Sequence, residues 1–258
     1  MYDLNGRVAI VTGSGKGIGA GIALALASCG ANVIVNFVND HKSAENTVLK
    51  ILDNTKAKAL MFKADISIPS EAKRLVDRTV DIFGKIDILI NNAGIATKAR
   101  KIEFVDSEEI YRVMQTNFMG AFYVTKEAFP YMKKNNRGDI HFISSRCVQT
   151  LLPGLSLYAA SKASLEALAN VAAKEGLEYN IRANIIRCGL IETNMASGFL
   201  KRTRNMENIR DLDKEAPFGR TCKPEDVGNL CAFLCSENAG YISGATIDLH
   251  GGNIMLGY

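Results

Sequence analysis

The sequence predicts an α/β fold: a single domain on a doubly wound parallel sheet, with a small lid region. Three observations carry the prediction. Apolar, β-branched runs alternate with helix-length segments from one end of the chain to the other. The strand-like runs are apolar almost throughout, as strands buried on both faces of a parallel sheet must be. A glycine cluster, "TGSGKGIG" at residues 12–19, falls between the first strand and the first helix. Such alternation implies right-handed crossovers with helices on both faces, and a ligand site beyond the carboxyl ends of the strands.

The elements follow in order. "RVAIVTG" reads as a strand and "GIGAGIALALASCG" as a helix stopped by Gly30. "ANVIVNF" is the second strand, "DHKSAENTVLKILDNT" a helix with a polar face, "AKALMFKAD" the third strand and "SEAKRLVDRTVDIFG" the next helix. "IDILINNAG" is the fourth strand, "EEIYRVMQTNFMGAFYVTKEAFPYMKKN" one long helix, and "GDIHFISS" the fifth strand. A helix containing "SLYAASKASLEAL" comes next, then "IRANIIRC" as the sixth strand, "PEDVGNLCAFLCS" as a late helix and "GATIDLHGG" as the last strand. Residues 190–216 are less regular and more polar, and are expected to form short helices over the active edge of the sheet. No repeat, low-complexity tract or linker divides residues 1–258.

Composition narrows the function. The chain has 258 residues, 47% hydrophobic and 22% charged, enough to bury a large core. Its 31 Lys+Arg against 27 Asp+Glu leave only +4, too weak a balance to argue for nucleic acid or a membrane surface. No apolar run is long enough to span a bilayer, and the first residues show no secretory pattern. Six cysteines (Cys29, Cys147, Cys188, Cys222, Cys231 and Cys235) form no zinc-type spacing and read as free thiols. His41, His141 and His250 have no partners suggesting a metal. A cytoplasmic enzyme without a metal is the expectation.

Tyr158 and Lys162 stand four apart, so on a helix both side chains leave the same face. An isolated pair of this kind is more often an amphipathic helix bordering solvent. Its chemistry is nevertheless specific. Reducing a carbonyl requires a proton for the developing alkoxide, and free tyrosine, with a pKa of about 10, is a poor base near neutrality. A neighbouring ammonium favours the phenolate. Glycines after the first strand let backbone N–H groups approach a pyrophosphate, whose charge the following helix N-terminus favours.

The glycine spacing differs from GxGxxG and resembles the TGxxxGxG of the short-chain dehydrogenase/reductase family, and the resemblance spans essentially the whole chain. "NNAG" at residues 91–94 ends the fourth strand, Asn117 lies in a "TN" context, Ser145 precedes Tyr158 by thirteen positions, and Tyr158 and Lys162 complete the set. The resemblance implies a Rossmann-type fold and a catalytic set of Asn117, Ser145, Tyr158 and Lys162. Tyr158 would be acid in reduction and base in oxidation. Lys162 would lower its pKa and bind the nicotinamide ribose, Ser145 would hydrogen-bond the substrate oxygen, and Asn117 would hold a relay water. Coenzyme contacts are implied at Gly13, Ser14, Gly15, Lys16, Gly17, Ile18, Gly19, Phe37, Asp65, Ile66, Asn92, Ala93 and Gly94. The same is implied at Tyr158, Lys162, Gly189, Ile191 and Thr193. Relatives pair the two long helices between subunits, so a homotetramer is expected.

Charge points to NADP(H) over NAD(H). Phe37 stands where an acid would bind the ribose hydroxyls, and Lys16 lies within the glycine turn. Val38 and Asp40 weigh against this: many NADP users put an arginine at the first position, and the second is an acid close by. One departure concerns "RCGLIETNM", where Cys188 replaces the usual proline, a change expected to loosen the segment while keeping Gly189, Ile191 and Thr193.

The expected reaction interconverts a carbonyl and a secondary alcohol, most like a 3-oxoacyl-carrier-protein reductase acting on a small or carrier-linked substrate. A sugar dehydrogenase of the glucose 1-dehydrogenase type, which the opening and the ending "HGGNIMLGY" resemble, and a hydroxysteroid dehydrogenase are alternatives. An enoyl reductase is disfavoured by the short Tyr-Lys spacing. A non-catalytic nucleotide-binding redox sensor is the alternative of another class, because a fold alone establishes no activity. Arg146 and Cys147 are candidates to face the substrate, and the run "KRTR" at residues 201–204 reads as a solvated face or a recognition element.

Overall fold

The computed structural model describes residues 2–252; residues 253–258, the end of the stretch likened to sugar enzymes, lie outside the described residues. Strand β1 (Val8–Val11) leads to helix α1 (Gly17–Ser28), β2 (Asn32–Phe37), α2 (His41–Asn54), β3 (Ala59–Lys63) and α3 (Pro69–Phe83). Next come β4 (Ile88–Asn91), α4 (Ser107–Met114), a π-helical turn (Gln115–Met119), α5 (Gly120–Asn135) and β5 (Gly138–Ser145). The chain continues with α6 (Cys147–Thr150), α7 (Ser156–Gly176), β6 (Ile181–Cys188), α8 (Asn194–Arg204), α9 (Pro224–Leu234) and β7 (Thr246–Leu249).

All seven strands join one parallel sheet in the order β3-β2-β1-β4-β5-β6-β7. This is the expected doubly wound arrangement. Successive strand residues point to opposite faces, and both faces are covered. Ile10, Leu89 and Phe142 pack with Leu75, Val124 and Leu165 on one side. Val11, Ile88 and Ile90 pack with Ile22, Leu26 and Val227 on the other. The strand order reverses between β1 and β4, which opens the crevice beyond their carboxyl ends.

The helices start where local chemistry stops the preceding loop. Asp40 caps α2 by accepting from the Ser43 N–H at 3.1 Å, Asp106 caps α4 through the Glu109 N–H at 2.7 Å, and Thr193 caps α8 through the Ala196 N–H at 3.2 Å. Pro69 opens α3, and Gly84 closes it in the left-handed region. The one long helix expected over residues 108–135 is interrupted. A π-turn at Gln115–Met119 separates α4 from α5, and Asn117 sits within it, fully buried. Single π-turns of this kind concentrate at functional sites.

In the stretch expected to form a lid, α8 and a 3-10 helix (Ile209–Lys214) share a small core of Ala196, Leu200, Ile209 and Leu212. Ion pairs Glu192–Arg210 and Arg220–Asp226 tie its two ends. The basic run at residues 201–204 lies at the exposed C-terminal end of α8, where positive charge complements the helix dipole, and Lys201 pairs with Glu207. Among the described residues no helix is long and apolar enough to cross a membrane, and no group of side chains is placed to hold a metal ion.

Candidate active site

The glycine turn is built by backbone that only glycine adopts easily. Gly13 and Gly17 have φ of +61° and +58°. At Gly19 the constraint is space: a Cβ would lie 2.5 Å from Asn92 Nδ2 and 2.6 Å from the Gly13 carbonyl. Asn92 fastens the turn from β4, donating from Nδ2 to the carbonyls of Thr12 and Gly13, while the N–H groups of Asn92 and Ala93 donate to Thr12 Oγ1. The first N–H groups of α1 have no partner within the helix, and they open at this turn. A bare, glycine-walled cradle at a helix N-terminus fits a pyrophosphate.

The geometry shows how several of the residues expected to contact coenzyme are held. Ser14 is fully buried, its hydroxyl donating to the Val11 carbonyl at 2.6 Å and its N–H to the Asn36 carbonyl at 2.8 Å, so both donors are engaged within the protein. The Phe37 ring belongs to the core and packs edge-on against His41, and the Ile66 side chain packs toward Gly120. Only the backbone of Phe37 or Ile66 remains for a ligand. Asp65 accepts from the Ser67 N–H and hydroxyl and so shapes the turn after β3. Lys16 is exposed at the turn, but its Nζ lies 2.8 Å from Asp40 Oδ2.

Sequence reasoning missed Asn36. This carboxamide is buried at the end of β2, accepting from the Gly13 N–H at 3.1 Å and donating to the Ala64 carbonyl at 3.0 Å. It ties the glycine turn to β3. The signal was present as a polar residue inside the apolar run "NVIVNF".

The second cluster gathers at the ends of β4 and β5. The Ser145 hydroxyl acts on the Tyr158 phenol in the direction that favours its ionised form, and Ser145 Oγ accepts from the Cys147 N–H at 3.2 Å. Lys162, one turn beyond Tyr158, is buried with its Nζ 5.9 Å from the Tyr158 ring centroid, and donates to the Ile143 carbonyl at 2.8 Å. Asn117 reaches the same corner from the π-turn. Its Oδ1 accepts from the Ile95 N–H at 2.8 Å, and its Nδ2 donates to the Ile95 carbonyl and to Ser161 Oγ, both at 3.1 Å. Gly94 lies between, where a Cβ would sit 3.4 Å from both Lys162 Nζ and Asn117 Oδ1. All four residues of the expected catalytic set therefore meet in one place.

Burial pushes the Tyr158 phenol above its ordinary value, and the Ser145 hydroxyl opposes this without overcoming it. Burial likewise lowers Lys162, against the Glu166 carboxylate, which acts to raise it. Desolvation is thus the dominant influence on both groups in the protein itself. Burial also raises the Cys188 thiol to about 12, so it stays uncharged near neutrality.

Glu166 was also missed, although it follows Lys162 by one further turn on the same helix face. It accepts from Ser144 Oγ at 2.6 Å and from Arg187 at 2.8 and 2.6 Å. Lys162 and Glu166 thus grip Ile143 and Ser144, the two residues leading into Ser145.

Cys188 is held within the sheet. It ends β6, in register with Ser145 on one side and Leu249 on the other, and its carbonyl accepts from the Arg146 N–H at 2.9 Å. A proline has no N–H for such a ladder, whereas cysteine keeps one. Gly189 continues the pairing by donating to the Leu249 carbonyl at 3.0 Å. Ile191 is buried and bridges to Cys222, and the Thr193 methyl lies within 3.4 Å of where a Gly17 Cβ would be, so the lid begins against the glycine turn. Beyond Ser145, Cys147 is buried in α6, and Leu151, Leu152 and Leu155 line a groove of about 600 Å³ with Ile102, Ala159 and Lys101.

Comparison with known proteins agrees with this geometry. Residues 13–253 match a family profile described as "Enoyl-(Acyl carrier protein) reductase". The 3-oxoacyl-(acyl-carrier-protein) reductase FabG of Thermotoga maritima is 32% identical over 98% of this chain and 99% of its own. Glucose 1-dehydrogenase 2 of Bacillus subtilis is 34% identical over 97% of this chain and 95% of its own. Among solved structures, a 7α-hydroxysteroid dehydrogenase complexed with NADH and 7-oxo glycochenodeoxycholic acid superposes with a TM-score of 0.88 at 32% identity, covering 97% of this chain and 95% of that one.

Proposed function

The chain belongs to the short-chain dehydrogenase/reductase family, and on that footing we propose that it is an NADP(H)-dependent oxidoreductase interconverting a carbonyl and a secondary alcohol. The observation that carries the reading is the corner where the Ser145 hydroxyl acts on the Tyr158 phenol, with Lys162 one turn on and Asn117 locked beside them.

The nicotinamide coenzyme, when bound, supplies or accepts the hydride. The cradle at Gly13, Gly15, Gly17, Ile18 and Gly19 would hold its pyrophosphate, with Asn92, Ala93 and Gly94 along the crevice and Gly189, Ile191 and Thr193 from the lid. Tyr158 keeps its proton at neutral pH and donates it from Oη to the oxygen of a carbonyl being reduced; in oxidation it takes the proton back. Ser145 Oγ hydrogen-bonds the same oxygen and holds it against Tyr158. Lys162 steadies negative charge on the phenol oxygen, and Asn117 keeps the corner by Gly94 in shape for a relay water. Support for NADP(H) is the absence of an acid at the end of β2, where Phe37 is turned inward, and the exposed Lys16 at the turn.

The preferred substrate class is a 3-oxoacyl thioester, carrier-linked or small, because leucines 151, 152 and 155 give the segment after Ser145 an apolar wall. Sugar and hydroxysteroid substrates are the competing classes. The enzyme is proposed to work in the cytoplasm as a homotetramer. The test is nicotinamide fluorescence with NADPH and NADH, then absorbance-monitored turnover of acetoacetyl thioester, diketones, sugars and steroids. Thioester reduction with NADPH supports the reading; coenzyme binding with no turnover across the panel favours the sensor.

A further inference from the structure

The acid missing from the end of β2 is supplied three residues later. Asp40 lies at the start of α2, and its carboxylate holds two positive partners at once: Oδ2 pairs with Lys16 Nζ at 2.8 Å, and Oδ1 accepts from the Ser43 N–H at the helix N-terminus at 3.1 Å. An ammonium and the first N–H groups of a fourteen-residue helix are the donors a phosphate at this edge would seek. In doubly wound dinucleotide sites the adenosine ribose lies at the end of the second strand, close to this pair. The carboxylate thus stands in for the anion.

We propose that Asp40 is a specificity-determining residue for the coenzyme, an internal anion that occupies the cation and helix end a 2′-phosphate would use and so limits the preference for NADP(H) over NAD(H). The proposal rests on the dinucleotide reading of the glycine turn. Both side chains are exposed, so the pair is weak and screened by salt, and Lys16 exchanges partners readily. Asp40 itself cannot leave, because it caps α2. A 2′-phosphate therefore gains Lys16 while facing an adjacent carboxylate. A ribose hydroxyl meets no repulsion and has an acceptor available. Lys16 and Asp40 push selectivity in opposite directions, which accounts for the mixed signals in the sequence around Phe37.

Nicotinamide fluorescence titrations of NADPH and NADH, at one fixed ionic strength, test this on the whole protein without any substrate. Asp40→Asn retains an oxygen for the Ser43 N–H, so it removes the charge and keeps the cap. It is expected to raise the NADPH:NADH affinity ratio by about three- to fivefold, the upper end for one exposed charge contact. Lys16→Ala is expected to lower that ratio by a similar factor, and Asp40→Ser, a second capping residue, should repeat the asparagine result. A ratio within twofold of the parent in both Asp40 variants would overturn the proposal. If the parent prefers NADH while Asp40→Asn still shifts the ratio toward NADPH, the coenzyme preference falls and the role of Asp40 stands. Failure of the parent to bind either coenzyme overturns both.

Discussion

The Ser145 hydroxyl, at the end of β5, acts on the Tyr158 phenol of α7 over the carboxyl edge of the sheet and opposes the rise in its pKa. A substrate oxygen placed between the serine hydroxyl and the phenol would displace neither from its element. Replacing Tyr158 by Phe removes the proton donor and leaves the ring. Turnover of an accepted substrate is expected to drop by roughly a thousandfold, within the span of general acid catalysis. Coenzyme affinity in a fluorescence titration should stay close to that of the parent. Retained turnover would remove Tyr158 from the mechanism.

The raised phenol of Tyr158 fixes the direction of the pH dependence. An acid whose pKa lies above its ordinary value is fully protonated at pH 6–8. Reduction should be flat there and decline only on the alkaline side. Oxidation needs the deprotonated form, so its rate should climb with pH across the same range. Rates measured in both directions on one substrate check this, and an oxidation rate that is level from neutrality upward would contradict the raised phenol.

Glu166 is the carboxylate that opposes the fall in the Lys162 pKa, and it holds Ser144 and Arg187 besides. Arg187 also approaches Asp248 at 3.9 Å, so Glu166→Gln leaves it a partner. The substitution is expected to cost about 1–3 kcal/mol in stability. With less to favour the ammonium, Lys162 does less for the phenolate, and the rising limb of the oxidation profile should move to higher pH. Denaturant melts measure the first effect and the pH profile the second. A change in stability alone would make Glu166 a structural residue only.

Much of this was legible in the sequence because the determinants are local. Strand runs such as "GDIHFISS" and "IRANIIRC" coincide with β5 and β6, whose apolar continuity follows from burial on both faces. Tyr158 and Lys162 were readable because a helix converts a spacing of four into a shared face. What was hidden depends on distant partners. Asn117, in the π-turn, is held by Ile95 and Ser161, which lie far from it in the chain. Ser14 reads as a phosphate contact until Val11 and Asn36 are seen to engage it. The direction of the Tyr158 shift also could not be read from spacing, because desolvation is set by the whole fold around the site.

Asn36 gives a test of how the glycine turn is held. Asn36→Ala would leave the Gly13 N–H and the Ala64 carbonyl without their present partner inside the protein. Unsatisfied buried groups of this kind cost about 1–3 kcal/mol each, so a loss of roughly 2–4 kcal/mol is expected in urea unfolding. Coenzyme affinity should fall as well, since Gly13 is free to shift. A stable variant with parental coenzyme affinity would show that Asn92 and Thr12 suffice to hold the turn.

His141 makes the acid side of stability predictable. It is fully buried in β5, neither ring nitrogen has a partner among the described residues, and burial, reinforced by the charges of Arg182 and Arg7, lowers its pKa to about 3. The unfolded chain titrates near 6.5. Above that value the imidazole is neutral in both states and stability is unaffected. As pH falls below 6.5 the unfolded state takes up a proton that the folded state refuses until about pH 3, so stability declines across that window. The full loss from this one residue is of the order of 5 kcal/mol, with about 2 kcal/mol gone by pH 5. Urea unfolding at a series of pH values, for the parent and for His141→Leu, isolates the contribution, because every other titrating group is common to the two. The gap between them at pH 7 records packing alone. From there to pH 4 the parent should lose stability faster than the variant, and parallel curves would mean that His141 is protonated in the folded protein.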